Sequence, residues 1–184
     1  MRLRLLALGT GIVAALTGCG ADAAGAPPAR PPVRVVQIPA ASAGGVCVRW
    51  DYRLIERLIG IRFEAAASHR IGDTSTCVVQ VQGADRPDLA LSVVEGLSAD
   101  ADLFTTEIVP AGATKLRTLG RAGYRSVSKA TGDHGPVVEV GWLSTDRQLI
   151  ILRFTFPQGA SKAEASTMAG RVTALARKLD ASID

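Results

Sequence analysis

Few side chains in this chain could carry acid-base, nucleophilic or metal chemistry: two histidines, His69 and His134, and three cysteines, Cys19, Cys47 and Cys77. His134 lies in Thr131-Gly132-Asp133-His134-Gly135-Pro136, where Asp133 would have to orient it as a general base. Glycine, aspartate and proline are turn formers, and adjacent side chains on a turn rarely face one another, so the segment reads as a solvated hairpin tip. His69, in Ser68-His69-Arg70, has a cationic neighbour and no carboxylate close in sequence before Asp73, and reads as a surface residue. Cys47, Cys77, His69 and His134 would form a zinc set only if the fold gathered them from separate segments. Neither Cys47 nor Cys77 has a neighbouring histidine to activate it as a nucleophile. GxSxG, HExxH and GxxxxGK signatures are all absent from the sequence, which weighs against a common hydrolase, zinc protease or nucleotide enzyme. No catalytic residue, metal or cofactor is assigned on these grounds.

The remaining cysteine closes a different pattern. Arg2 and Arg4 precede an uncharged apolar run from Leu5 to Leu16, followed by small residues, which is the layout of a secretory signal. At about 1.5 Å per residue the run spans roughly 18 Å, short of a hydrocarbon core of about 30 Å, so it does not predict a permanent transmembrane helix. It ends in Leu16-Thr17-Gly18-Cys19, which resembles the lipobox of bacterial lipoproteins. The resemblance implies cleavage before Cys19, a diacylglyceryl thioether on its sulfur, and a mature protein anchored on the extracytoplasmic face of the cell membrane. Two acyl chains, at about 0.8 kcal/mol per buried CH₂, suffice for stable anchoring. With Cys19 assigned to lipid, Cys47 and Cys77 remain as an even pair, which outside the cytoplasm is expected to form a disulfide.

These sites have to be positioned by the rest of the chain. Its 184 residues are 47% hydrophobic, a length and composition suited to one ordinary globular domain. The formal charge of +4, part of it from Arg2 and Arg4, is too mild and too dispersed to predict a nucleic-acid partner. The organisation reads as a signal peptide over residues 1–18, an Ala/Pro/Gly-rich tether over 19–45 and a single domain over 46–184. Pro27, Pro28, Pro31, Pro32 and Pro39 favour extended backbone in the tether. Its VRVVQI patch reads either as tether or as a short strand docking on the domain.

Within the domain, Trp50, Leu54, Leu58 and Ile61 recur at helical spacing and predict a helix over 50–60, ended by Gly60. Short alternating runs over 77–82 and 88–95 predict a hairpin. Residues 98–108 stay ambiguous, because Ala101, Phe104 and Ile108 share a helical face while Thr105 and Thr106 favour extension. A strand is expected over Arg125 to Lys129. Residues 137–143 and 149–156, joined by Ser144-Thr145-Asp146-Arg147, predict a second hairpin whose later strand is central. Ser161 and Glu164 match a capping box ahead of a helix carrying Met168, Val172, Leu175 and Leu179. The expected fold is α+β, an antiparallel sheet covered by an N-terminal and a long C-terminal helix.

The segment Leu119-Gly120-Arg121-Ala122-Gly123-Tyr124, taken with Cys47, Trp50 and Thr76-Cys77, resembles exported actinobacterial lipoproteins that carry a domain of unknown function. The resemblance covers about residues 46–180. It implies an envelope location and disulfide bonding, and it carries over no catalytic residues. Locally, the glycines read as backbone punctuation with Tyr124 packing its ring; alternatively Arg121, Tyr124 and Arg125 line a site for an acidic or glycan ligand. The expected function is a membrane-anchored, non-catalytic binding module, either recognising a partner or carrying a small ligand. An unrecognised envelope hydrolase is the alternative. The partners expected are the membrane, through the lipid, and an envelope protein, lipid or glycan.

Overall fold

Seven segments pair as strands: β1 (Ala65–Ile71), β2 (Thr74–Gln80), β3 (Asp88–Val94), β4 (Thr114–Leu116), β5 (Ala122–Ser128), β6 (Val137–Leu143) and β7 (Leu149–Thr155). In this computed structural model, which describes residues 37–95 and 100–181, they form one antiparallel sheet of order β1-β2-β3-β7-β6-β5-β4. The residues read above as signal peptide, Cys19 and the stretch up to residue 36 read as tether lie outside the described residues. Two meanders, β1 to β3 and β4 to β7, meet where β3 pairs with β7. The antiparallel α+β architecture expected from the sequence is therefore present, with β7 in the middle.

Register decides which side chains meet. Cys77, Leu91, Leu152 and Val140 stand opposite one another across β2, β3, β7 and β6, and the next rows add Val79, Leu89, Phe154 and Val138. All eight are buried on the helix-covered face. Two helices cover it, α1 (Tyr52–Ile59) and α3 (Lys162–Asp180). Helix α1 buries Tyr52, Ile55 and Ile59; α3 buries Met168, Val172, Leu175 and Leu179, the spacing of four, three and four read from the sequence. Each fully buried apolar side chain contributes about 1.5–3 kcal/mol, so these helix faces hold the layer together.

The helix ends follow their local chemistry. Asp51 caps α1 by accepting from the backbone N–H of Arg53, and Gly60 takes the left-handed conformation at its end. Arg171 of α3 donates to the Ile59 carbonyl at 2.9 Å, satisfying one of the acceptors exposed at the end of α1. The expected capping box is formed, Ser161 and Glu164 bonding each other's backbone N–H at 2.7 and 3.2 Å.

Two strands and one packed segment go beyond the sequence reading. Strand β1 is largely exposed and carries no apolar alternation; its pairing with β2 through the two-residue Gly72-Asp73 turn makes it a strand. Strand β4 has only three residues, too few to show a period. Residues 37–45, read above as tether, lie against the domain: Ala40 is buried in a 3-10 turn, and Ser68 donates its hydroxyl to the Ala43 carbonyl at 2.6 Å. Small alanines and glycines look like linker in composition, yet they also allow this close approach.

The ambiguous stretch over 98–108 resolves, from Asp100 onward, into a short helix. Asp100 caps α2 (Ala101–Leu103), which widens into a π-turn over Phe104–Ile108. The threonines that favoured extension bond back into the helix instead, Thr105 to the Ala101 carbonyl at 2.7 Å and Thr106 to the Asp102 carbonyl at 3.0 Å. Phe104 is thereby driven against the second sheet face, beside Tyr124, Leu143 and Leu149.

Candidate functional site

The predicted ligand-binding trio of Arg121, Tyr124 and Arg125 is divided by the pleat of β5. Consecutive strand residues point to opposite faces. Tyr124 lies opposite Gly141 and Ile151, on the face away from α1 and α3, whereas Arg125 shares the helix-covered face with Val140 and Leu152. Tyr124 is buried, and its hydroxyl donates to Glu139 Oε1 at 2.8 Å. Its ring lies 5.9 Å from that of Phe104. Gly141 makes the space for it, since a Cβ there would stand 2.4 Å from the tyrosine ring. Burial above all, and then the Glu139 hydrogen bond and charge, push the phenol well above its ordinary pKa. Tyr124 is thus a committed structural donor.

Arg121 keeps a place in a site of different membership. Antiparallel pairing of β4 with β5 sets Lys115 opposite Tyr124 and Leu116 opposite Gly123. The connecting loop turns back because Leu119 is fully buried and Gly120 adopts φ +54°. Gly120 donates to Asp180 Oδ2 at 2.9 Å and Arg121 to the Leu143 carbonyl at 2.8 Å. A Cβ on Gly120 would lie 2.2 Å from that same carbonyl, so the loop accepts only glycine there.

The result is a hollow of about 280 Å³ bordered by Lys115, Arg117 and Arg121, with Thr105, Val109 and Gly123 forming much of the rest. All three cations are exposed, and among the described residues none has a carboxylate within 4.0 Å. Three like charges around one concavity repel one another, and a bound anion relieves that repulsion while gaining charge-assisted hydrogen bonds. Lys115 and Arg117 escaped the sequence reading because the strand that presents them is too short to announce itself.

A larger groove of about 460 Å³ lies between the end of α1, Phe156 and the first half of α3. Its apolar lining includes Ile59, Ile61 and Met168. Its charged members are already engaged, Glu164 in the capping box and Arg171 on the Ile59 carbonyl. A ligand site needs a few polar groups left to orient its guest, which favours the cationic hollow.

The histidines stay apart. His69 is exposed on edge strand β1. His134 sits in a turn with Nδ1 2.7 Å from the Gly135 carbonyl and Nε2 3.3 Å from the Thr131 hydroxyl, and among the described residues neither histidine hydrogen-bonds a carboxylate. No group of three or more metal-ligating side chains occurs among the described residues. Cys47 and Cys77 are buried at disulfide distance, with Cα atoms 5.0 Å apart and a sequence separation of 30. No helix among the described residues is long and apolar enough to cross a membrane. Comparison with protein families, curated proteins and solved structures found no match.

Proposed function

We propose that this chain is a lipid-anchored binding module of the cell envelope, held at the membrane through Cys19 and engaging an anionic group at the β4–β5 hollow. The single observation carrying the binding reading is the trio Lys115, Arg117 and Arg121 around one concavity without a carboxylate partner among the described residues. An acidic ligand is favoured over a neutral sugar for a further reason. All eight aromatic residues are buried, which leaves no ring at the surface for a sugar to stack upon. The Ala/Pro/Gly-rich composition after Cys19 supports the reading as well, since a linker between anchor and domain raises the local concentration of the domain near the membrane without requiring chemistry.

Native mass spectrometry of the exported protein, released gently in detergent, tests this. The unsubstituted protein is expected to carry an acidic adduct that disappears when Lys115, Arg117 and Arg121 are all replaced by glutamine. An adduct retained by that triple variant would place the ligand elsewhere and overturn the assignment.

A further inference from the structure

Strand β1 leaves one side of its backbone bare. The Glu95 N–H donates to the Asp73 carbonyl at 3.0 Å, which sets the odd-numbered residues of β2 bonding to β3 and the even-numbered ones bonding to β1. Register then turns the backbone groups of Ala65, Ala67, His69 and Ile71 inward to β2, and those of Ala66, Ser68 and Arg70 outward. These outward groups have no hydrogen-bond partner among the described residues. The strand is seven residues long and almost wholly exposed, whereas β4, at the opposite edge of the sheet, has only three residues. A bare edge of that length is a template for another strand.

The side chains of β1 select which strand fits. They read Ala65, Ala66 and Ala67, then Ser68, then His69, Arg70 and Ile71. An antiparallel copy of the same strand centred on Ser68 sets Ala67 opposite His69, Ala66 opposite Arg70 and Ala65 opposite Ile71, so every large side chain faces a methyl group. Ile71, at 70% the most exposed large apolar residue among the described residues, gains an apolar cross-strand neighbour in this register. Charges on an edge strand commonly bar such pairing, but Arg70 is folded back on its own copy, onto Glu95 at 3.5 Å and the Gly72 carbonyl at 3.1 Å. Residues 40–45, which lie against β1 at Ser68, are only alanine, serine and glycine, so they place no long side chain beside the edge.

We infer that β1 is the interface between two copies of this chain, paired antiparallel about Ser68 into one continuous sheet. The outward backbone groups of Ser68 bond those of Ser68 in the second copy, and the groups of Ala66 bond those of Arg70. Each β4–β5 hollow then lies at a far edge of the joined sheet, so the inference is independent of the anionic ligand.

The test is NMR of the exported full chain, labelled at its isoleucine and alanine methyl groups, in detergent at rising protein concentration, beside native mass spectrometry. Within one extended strand Ala65 and Ile71 stand about 20 Å apart, beyond the reach of a nuclear Overhauser effect, so a cross-peak between their methyl groups reports pairing with a second copy. That cross-peak is expected, growing with concentration together with a mass of two copies. Ser68→Ala, which loses only the hydroxyl contact to Ala43, should keep both signals. Ser68→Pro, which removes an outward N–H and no bond to β2, should abolish both. Ile71→Lys, at an exposed site, should weaken the dimer about two- to thirtyfold, and it serves in place of the proline variant if that does not fold. A single-copy mass at every concentration, or a dimer without the Ala65–Ile71 cross-peak, overturns the inference. So does a dimer indifferent to Ser68→Pro or Ile71→Lys, or one lost equally in Ser68→Ala.

Discussion

Tyr124 shows how a single residue's chemistry is redirected by its surroundings. Alone in the sequence it is a candidate ligand-binding hydroxyl; in the fold it is a buried donor to Glu139. Its pKa is raised from the ordinary 10.0 by burial and by Glu139, so the folded state retains the proton more strongly than the unfolded state does. The contribution is complete below the unfolded pKa and is lost as pH rises through the folded one. Tyr124→Phe should cost about 1–3 kcal/mol in urea unfolding at neutral pH, because Glu139 loses a donor. The same substitution should reduce the decline in stability at strongly alkaline pH. Glu164 runs in the opposite sense. Its hydrogen bonds from Ser161, the backbone N–H first and then the hydroxyl, lower its pKa below 4.5. Its contribution is present above that value and lost as pH falls through the lowered one. Glu164→Gln should therefore flatten the acid limb of a thermal-unfolding profile, and Ser161→Ala should cost about 1 kcal/mol as a lost helix cap.

At the scale of elements, the β4–β5 loop rests on Gly120. Replacing it with alanine forces a Cβ to within 2.2 Å of the Leu143 carbonyl at φ +54° and should cost about 1–3 kcal/mol, by displacing the loop that carries Arg121. Gly83→Ala is the control. Its φ of +77° is equally left-handed, but nothing lies within 4 Å, so only the conformational strain of about 1 kcal/mol should appear. Urea unfolding of the two variants separates crowding from strain. Ile55→Ala, in the face of α1 that meets the sheet, should cost about 2–5 kcal/mol in the same assay. Legibility in the sequence followed burial. Strands β6 and β7 and helix α3 each bury a continuous face, so period two and period 3.6 stood out. Strand β1 buries almost nothing, β4 is three residues long, and Ala40 packs through smallness, which leaves no hydrophobic period to read. The candidate site suffered for the same reason. Arg121 stands out in the sequence beside its glycines, whereas Lys115 and Arg117 belong to β4 and its exit, and adjacency in sequence groups Arg121 instead with Tyr124 and Arg125, which the pleat of β5 sets on opposite faces.

Among the described residues the fold is a sheet with α1 and α3 on one face and the short α2 segment on the other, stitched where Cys47 meets Cys77. In the chain-entropy treatment a loop of that length contributes about 3–4 kcal/mol, so reducing the pair should lower the urea midpoint accordingly. Alkylation with and without reductant checks that the pair is oxidised in exported protein. Nearer the start of the chain, Cys19→Ser should abolish processing before residue 19 and lipid modification; cell fractionation combined with mass analysis of the processed terminus reads both. Unchanged cleavage and unchanged membrane binding would remove the lipid anchor from the proposal. The most direct measurement concerns the cationic hollow: calorimetric titration of the full chain in detergent with citrate, a small polyanion, at low and at physiological salt. Saturable binding is expected at low salt and should weaken as salt rises, because exposed charges are screened over about 8–10 Å under physiological conditions. Replacing Lys115, Arg117 and Arg121 by glutamine should weaken it about tenfold or more, while Arg125→Gln, on the other face of β5, should leave it unchanged. Citrate affinity that survives the triple replacement, or no saturable binding at low salt, would contradict the assignment of this hollow as the binding site.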